Sequence, residues 1–174
     1  IRRSVSANLR VGSDKSMQHL IDYAGMESNP VRMRAEAIAA LSVWAMPSVL
    51  DRVDGRLRGL VKRDSVLVGS RSAATLLKLL HNKDVQLRLA AAKAASKLQL
   101  KSSEPELLVL LKKDPSAEVR KEALNALAKL SSPKISDAIQ QALKDKEKLV
   151  RVAGIDLLGK TAVTTELMVK LLAE

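Results

Sequence analysis

Side chains that do covalent or metal chemistry are scarce in this sequence, and cationic ones are abundant. His19 and His81 are the only histidines, and neither has a second histidine at i+3 or i+4 to suggest a metal site. Cysteine is absent, which excludes a thiolate nucleophile, a thiolate metal site and a disulfide framework. No glycine-rich phosphate loop and no GxSxG elbow is present. The carboxylates fall mostly on solvent-facing helical positions, where pairing with lysine or arginine is their ordinary role. These residues predict no catalytic site, no cofactor and no bound metal.

The remaining chemistry is that of arginine and lysine. Thirty basic residues face nineteen acidic ones, a formal charge of +11, and residues 71–101 alone hold seven basic side chains against one acidic. A patch of that kind attracts nucleic acid, anionic lipid or an acidic protein face. Arg2, Arg34, Arg88, Arg120 and Arg151 recur in one local pattern. Lys97, Lys129 and Lys160 each follow that pattern at a constant offset, with Lys93 nearby, while Arg52, Arg56 and Arg58 crowd a segment outside it.

The pattern is clearest in Val119-Arg120-Lys-Glu-Ala123-Leu-Asn-Ala126-Leu127. It returns at Ile1-Arg2 with Val5 and Leu9, at Met33-Arg34 with Ala37, Ala40 and Leu41, at Leu87-Arg88 with Ala91, Ala94 and Ala95, and at Val150-Arg151 with Gly154, Leu157 and Leu158. The start points 1, 33, 87, 119 and 150 lie 32, 54, 32 and 31 residues apart, so one interval holds 22 extra residues. Offsets of 0, 4, 7 and 8 place the small and apolar residues on one stripe of a helix. Five residues ahead of the last four starts stand Ser28, Asn82, Asp114 and Asp145, types that cap helices and make turns, and Pro30 and Pro115 suit a first helical turn.

Between these helices the spacing predicts shorter ones over 14–26, 70–81, 104–113 and 133–144, with another from about Thr164. One tryptophan, one tyrosine and no phenylalanine also favour helix-on-helix packing. Two short helices cannot bury their apolar faces alone, so successive hairpins must stack. The prediction is an all-α protein, an α-solenoid (superhelix) of about four and a half hairpins. It forms a single domain over 1–174, with a loop-rich insertion at 46–67 in which Pro47 ends a helix and Asp54-Gly55 makes a tight turn.

The segments from Asp114-Pro115 to Leu127 and from Asp145 to Leu158 resemble the short HEAT repeat in their turn acid, Val-Arg pair and small-residue face. The resemblance implies a right-handed superhelix that contacts other proteins. It also implies that the repeated arginine pairs with the turn acid of a neighbouring unit, for which Asp114 and Asp145 are available. The competing reading of the arginines is a ligand-binding ladder.

Lys97, Lys129 and Lys160 read either as cations complementing helix C-termini or as an anion-binding column. Nucleic-acid binding through Lys83, Arg88, Lys93, Lys97 and Lys101 is the alternative to a protein partner, but Trp44 and Tyr23 are the only aromatic platforms. The insertion reads either as packing, with Trp44, Val49, Leu50 and Val53 covering helix ends, or as a docking loop carrying Arg52, Arg56 and Arg58.

A narrower resemblance covers Ala35 to Leu60, in which Trp44, Pro47 and Val49-Leu-Asp-Arg-Val-Asp-Gly-Arg56 are similar to the HEAT segment of large secreted bacterial proteins. There a sugar-dehydrogenase-like propeller precedes the helices and a c-type cytochrome follows. It implies a spacer between redox modules, outside the cytoplasm, with no haem or quinone ligand of that family on any residue of this sequence. The opening Ile1-Arg2-Arg3, without methionine, reads as the start of a fragment of a longer chain. No apolar run reaches the ~18 residues of a membrane span.

Overall fold

A computed structural model of the chain describes residues 2–51 and 53–159. Contacts divide it into two compact units, Ile1–Ser103 and Glu104–Glu174.

The first unit holds α1 (Arg2–Val11), α2 (Asp14–Gly25), α3 (Val31–Leu41), α4 (Ser65–Leu80) and α5 (Val85–Lys97), followed by a 3-10 turn at Lys101–Ser103. Helices α2 and α3 form one hairpin, and α4 and α5 the next. The hairpins stack through α2 on α4 and α3 on α5, while α1 packs against both helices of the first. The second unit repeats the scheme with α6 (Glu104–Lys113), α7 (Ala117–Lys129), α8 (Ile135–Leu143) and α9 (Lys148–Leu158), α6 stacking on α8 and α7 on α9. The described residues thus form an all-α array of stacked helical hairpins, the building plan of an α-solenoid.

The repeated pattern sits where its periodicity places it. Helices α3, α5, α7 and α9 each begin two residues ahead of a start point, and the stripe at offsets 4, 7 and 8 is buried throughout α3, α5 and α7. Small residues at these offsets let backbones approach closely. A Cβ on Gly154 would lie 3.3 Å from the Cβ of Ala142 and from Leu143 Cδ2, so even alanine would crowd the α8–α9 contact. The helix expected from Thr164 lies outside the described residues.

Of the two roles open to the polar residues ahead of the helices, three of them take the turn-making one. Asn82, Asp114 and Asp145 are not themselves the caps. Each side chain accepts the N–H two residues on, from Asp84, Ser116 and Glu147, at 2.8–2.9 Å. These are Asx turns that feed the chain into the cap. Asp84 and Ser116 then cap α5 and α7 through the N–H groups of Gln86 and Val119. Pro30 is the cap residue of α3, and Pro115 precedes the cap of α7, so both stand just outside the helix.

The insertion is also shifted. The irregular segment runs over 42–64, because α3 ends at Leu41 rather than at Pro47 and α4 begins at Ser65. Successive turns at Val43, Trp44 and Met46 swing the indole inward to 2% exposure. At the other end Asp64 accepts from the N–H groups of Val66 and Leu67, at 2.7 and 3.3 Å, and so starts α4 five residues earlier than the apolar spacing suggested.

Candidate functional site

Three of the five repeated arginines, Arg88, Arg120 and Arg151, occupy one structural position. Nη1 of Arg88, Arg120 and Arg151 donates in each case to the carbonyls six and five residues back, closing the turn ahead of its own helix at 2.8–3.3 Å. Arg34, also buried, instead donates from Nε to the Ala24 carbonyl at 2.8 Å. Arg2 is exposed and pairs with Glu36 at 3.1 Å.

Arg120 makes a second set of bonds. Its Nε and Nη2 donate to the two carboxylate oxygens of Asp145, at 2.7 and 2.8 Å, linking α7 to the next turn of the second unit. The Arg120 hydrogen bond holds the Asp145 carboxyl below the usual carboxylate range, and the same bond raises the Arg120 guanidinium. Asp114 offers its carboxylate to the Ser116 N–H and its carbonyl to Arg120.

Lys93 and Lys97 project from one exposed face of α5, four residues apart, and Lys129 ends α7, also exposed. Lys160 and Arg52 lie outside the described residues. Arg56 and Arg58 belong to the irregular segment, and both reach the Asp54 carboxylate, Arg58 at 2.8 Å and Arg56 at 3.8 Å.

That segment is a small antiparallel loop fastened to α1. Leu50 bridges Leu57, the Asp51 N–H donates to the Arg56 carbonyl at 2.8 Å, and the Arg58 N–H to the Val49 carbonyl at 2.7 Å. Gly55, at φ +70°, makes the reversal that Asp54-Gly55 predicted. Asp51 is the node. Its buried carboxylate accepts the N–H groups of Val53 (2.8 Å) and Asp54 (3.3 Å) and the Ser6 hydroxyl of α1 (3.4 Å). The Val53 bond lowers its pKa most, and the Arg58 and Arg10 guanidiniums lower it further, against the opposing effect of burial. Arg10 anchors the loop from α1 through Nη2, which donates to the carbonyls of Ser48 and Leu50 at 2.9 and 2.8 Å.

Arg63 fixes the far end. Nη1 donates to the Trp44 carbonyl at 2.9 Å and Nη2 to the Leu9 carbonyl at 2.8 Å, while the guanidinium stands 4.7 Å from the centre of the indole. Burial lowers its pKa, and neighbouring Arg10 lowers it further. Of the four side chains expected to cover helix ends, Trp44 alone is buried. Val49, Leu50 and Val53 are exposed, because the loop turns their faces away from the stack.

Between α1 and the loop lies a cavity of about 430 Å³, lined by Arg3, Ser6, Ala7, Arg10, Asp51, Val53, Asp54 and Arg58. Of these, the repeat pattern singled out none. Arg58 stands out only by the charge of the insertion, whereas Arg3, Ser6 and Arg10 lie on α1 outside the apolar stripe and carry no local signature. Among the described residues no group of three or more His, Cys, Asp or Glu side chains could hold a metal ion, and no helix is long and apolar enough to cross a membrane.

Residues 104–174 match the family model for HEAT repeats. No curated protein matches the chain. Together with the hairpin stacking, the match supports a HEAT-like helical repeat over the residues it covers, and HEAT repeats generally serve as protein-interaction scaffolds. It gives no support to the association with a dehydrogenase propeller and a cytochrome.

Proposed function

We propose that this chain is a non-catalytic scaffold that engages a protein partner through the irregular segment of its first unit. One observation carries the reading: a loop pinned by Asp51, Arg10 and Arg63 holds apolar side chains out to solvent, with Leu57 at 74%, Leu60 at 68% and Met46 at 64% exposure. A loop needed only to cover helix ends would turn such residues inward, since each exposed leucine forfeits about 1.5–3 kcal/mol of burial. A fixed loop with apolar side chains outward also loses little conformational freedom on binding. Arg88, Arg120 and Arg151, bonded within their own turns, support the frame in this reading. Lys93, Lys97 and Lys129 act as charges at solvent-facing helical positions.

A photo-crosslinking amino acid placed at Leu57, with a control at Val109 in the second unit, tests this in extract of the native cell. The expected result is a discrete crosslinked species from position 57, absent from 109 and suppressed by Leu60→Ser. Equal, diffuse crosslinking from both positions would remove the insertion from the binding surface.

A further inference from the structure

We infer that the cavity between α1 and the 49–58 loop receives a carboxylate side chain of the partner, so that the segment bound there is acidic and apolar. The inference rests on the docking reading above and adds the chemistry of the occupant.

The lining holds three guanidiniums against two carboxylates. Asp51 is already engaged by two backbone N–H groups and the Ser6 hydroxyl. It lies 3.5 Å from Arg58 Nε and 3.8 Å from Arg10 Nε, near enough to attract both but too far to saturate their donors. Arg10 stands behind the cavity with a side chain only 17% exposed, and its Nε and Nη1 have no hydrogen-bond partner. A charge held out of water and short of acceptors is costly until an anion comes near it. Arg3, exposed at the rim, makes no hydrogen bond or ion pair with another described residue. Cationic capacity therefore exceeds what the fold uses, and a planar carboxylate is the acceptor that matches a guanidinium fork.

The surroundings select a protein rather than a polyphosphate backbone. Val53 lines the cavity, and Val49, Leu50, Leu57 and Leu60 of the same segment are exposed apolar side chains. Trp44 is buried under Arg63, where no base can stack on it. Over residues 42–64 five basic side chains stand against three acidic, a surplus that complements an acidic segment.

Fluorescence anisotropy with labelled peptides about ten residues long tests the assignment. One probe alternates glutamate and leucine, a second replaces each glutamate by glutamine, and a third replaces each leucine by serine. The expected result is that the first binds about tenfold or more tightly than either of the others, with an affinity that falls as salt rises. Arg3→Ala should weaken it about tenfold, Arg3→Lys less, with the thermal unfolding temperature unchanged because Arg3 supports nothing in the fold. Equal affinity for the glutamate and glutamine peptides, no effect of Arg3→Ala, or no binding at millimolar peptide would overturn the inference. A single-stranded oligonucleotide that displaces the acidic peptide at lower concentration than the unlabelled peptide does would also overturn it. Should Leu57 yield its discrete crosslink while the glutamate and glutamine peptides bind alike, the docking surface stands and the carboxylate pocket falls.

Discussion

The guanidinium of Arg63 lies over Gly12, in the space that a Cβ at that position would need. Gly12 ends α1 at φ +67°, with its N–H donating to the Asn8 carbonyl at 3.0 Å. Gly12→Ala therefore meets two obstacles. A left-handed backbone costs an L-residue about 1–2 kcal/mol, and the added methyl must push Arg63 off the carbonyls that hold it. The expected loss is about 2–4 kcal/mol in urea unfolding followed by circular dichroism. A loss below about 1 kcal/mol would mean that the left-handed turn and the clamp both relax freely.

Arg63 also joins three parts of the first unit, since it bonds the end of α1, the Trp44 carbonyl and, through its N–H, the Ala45 carbonyl at 2.8 Å. Removing the side chain leaves the Leu9 and Trp44 carbonyls without their donor and uncovers one face of the indole. Arg63→Ala should destabilise by about 2–3 kcal/mol. Because Trp44 is the sole tryptophan, its emission in the folded protein should shift to longer wavelength. Unchanged emission would show that the insertion stays seated without the clamp.

The hairpins were legible because each depends on local periodicity. Offsets 0, 4, 7 and 8 with small residues such as Ala91 and Ala123 mark a buried helical stripe whatever lies around it. The turn-closing bonds that Arg88, Arg120 and Arg151 share, and that Arg2 and Arg34 do not, were not legible, because carbonyls five and six residues back carry no side-chain signal. The cavity was not legible at all. Arg10 and Asp51 are 41 residues apart and Gly12 and Arg63 are 51 apart, and each pair is joined by the path of a unique insertion that no repeat reports. Asp54-Gly55 announced the turn, but nothing in the sequence said which face of α1 the loop would meet.

Asp51 titrates as the lock of that loop. Its folded pKa lies below the ordinary 3.8, so its contribution to stability is complete above 3.8 and is lost as pH falls through the lower folded value. The Val53 amide, bonded to its carboxylate at 2.8 Å, reports the event directly. Amide chemical shifts of Val53 and Asp54 should move together with a midpoint below 3.8, and Asp51→Asn should abolish the transition while lowering the unfolding temperature. A midpoint at or above 3.8 would contradict the bonding drawn for this carboxylate.

In the second unit the pair Arg120–Asp145 is nearly enclosed, with side-chain exposures of 5% and 11%. Asp145→Asn keeps an acceptor for the Glu147 N–H, which the carboxylate takes at 2.8 Å, but it removes the charge opposite Arg120. An uncompensated buried guanidinium should cost about 3 kcal/mol at pH 7. Because the Asp145 pKa is depressed from 3.8, the gap between the wild type and the variant should be constant above that pH and close as pH falls through the folded value. Arg120→Met combined with Asp145→Leu removes both charges and should recover part of the loss. Recovery stays incomplete because the Asp114 and Pro115 carbonyls lose their donor as well. If instead the double variant were as unstable as the sum of the two single ones, the two side chains would be acting independently, and the bond between successive hairpins would hold nothing that packing does not already hold.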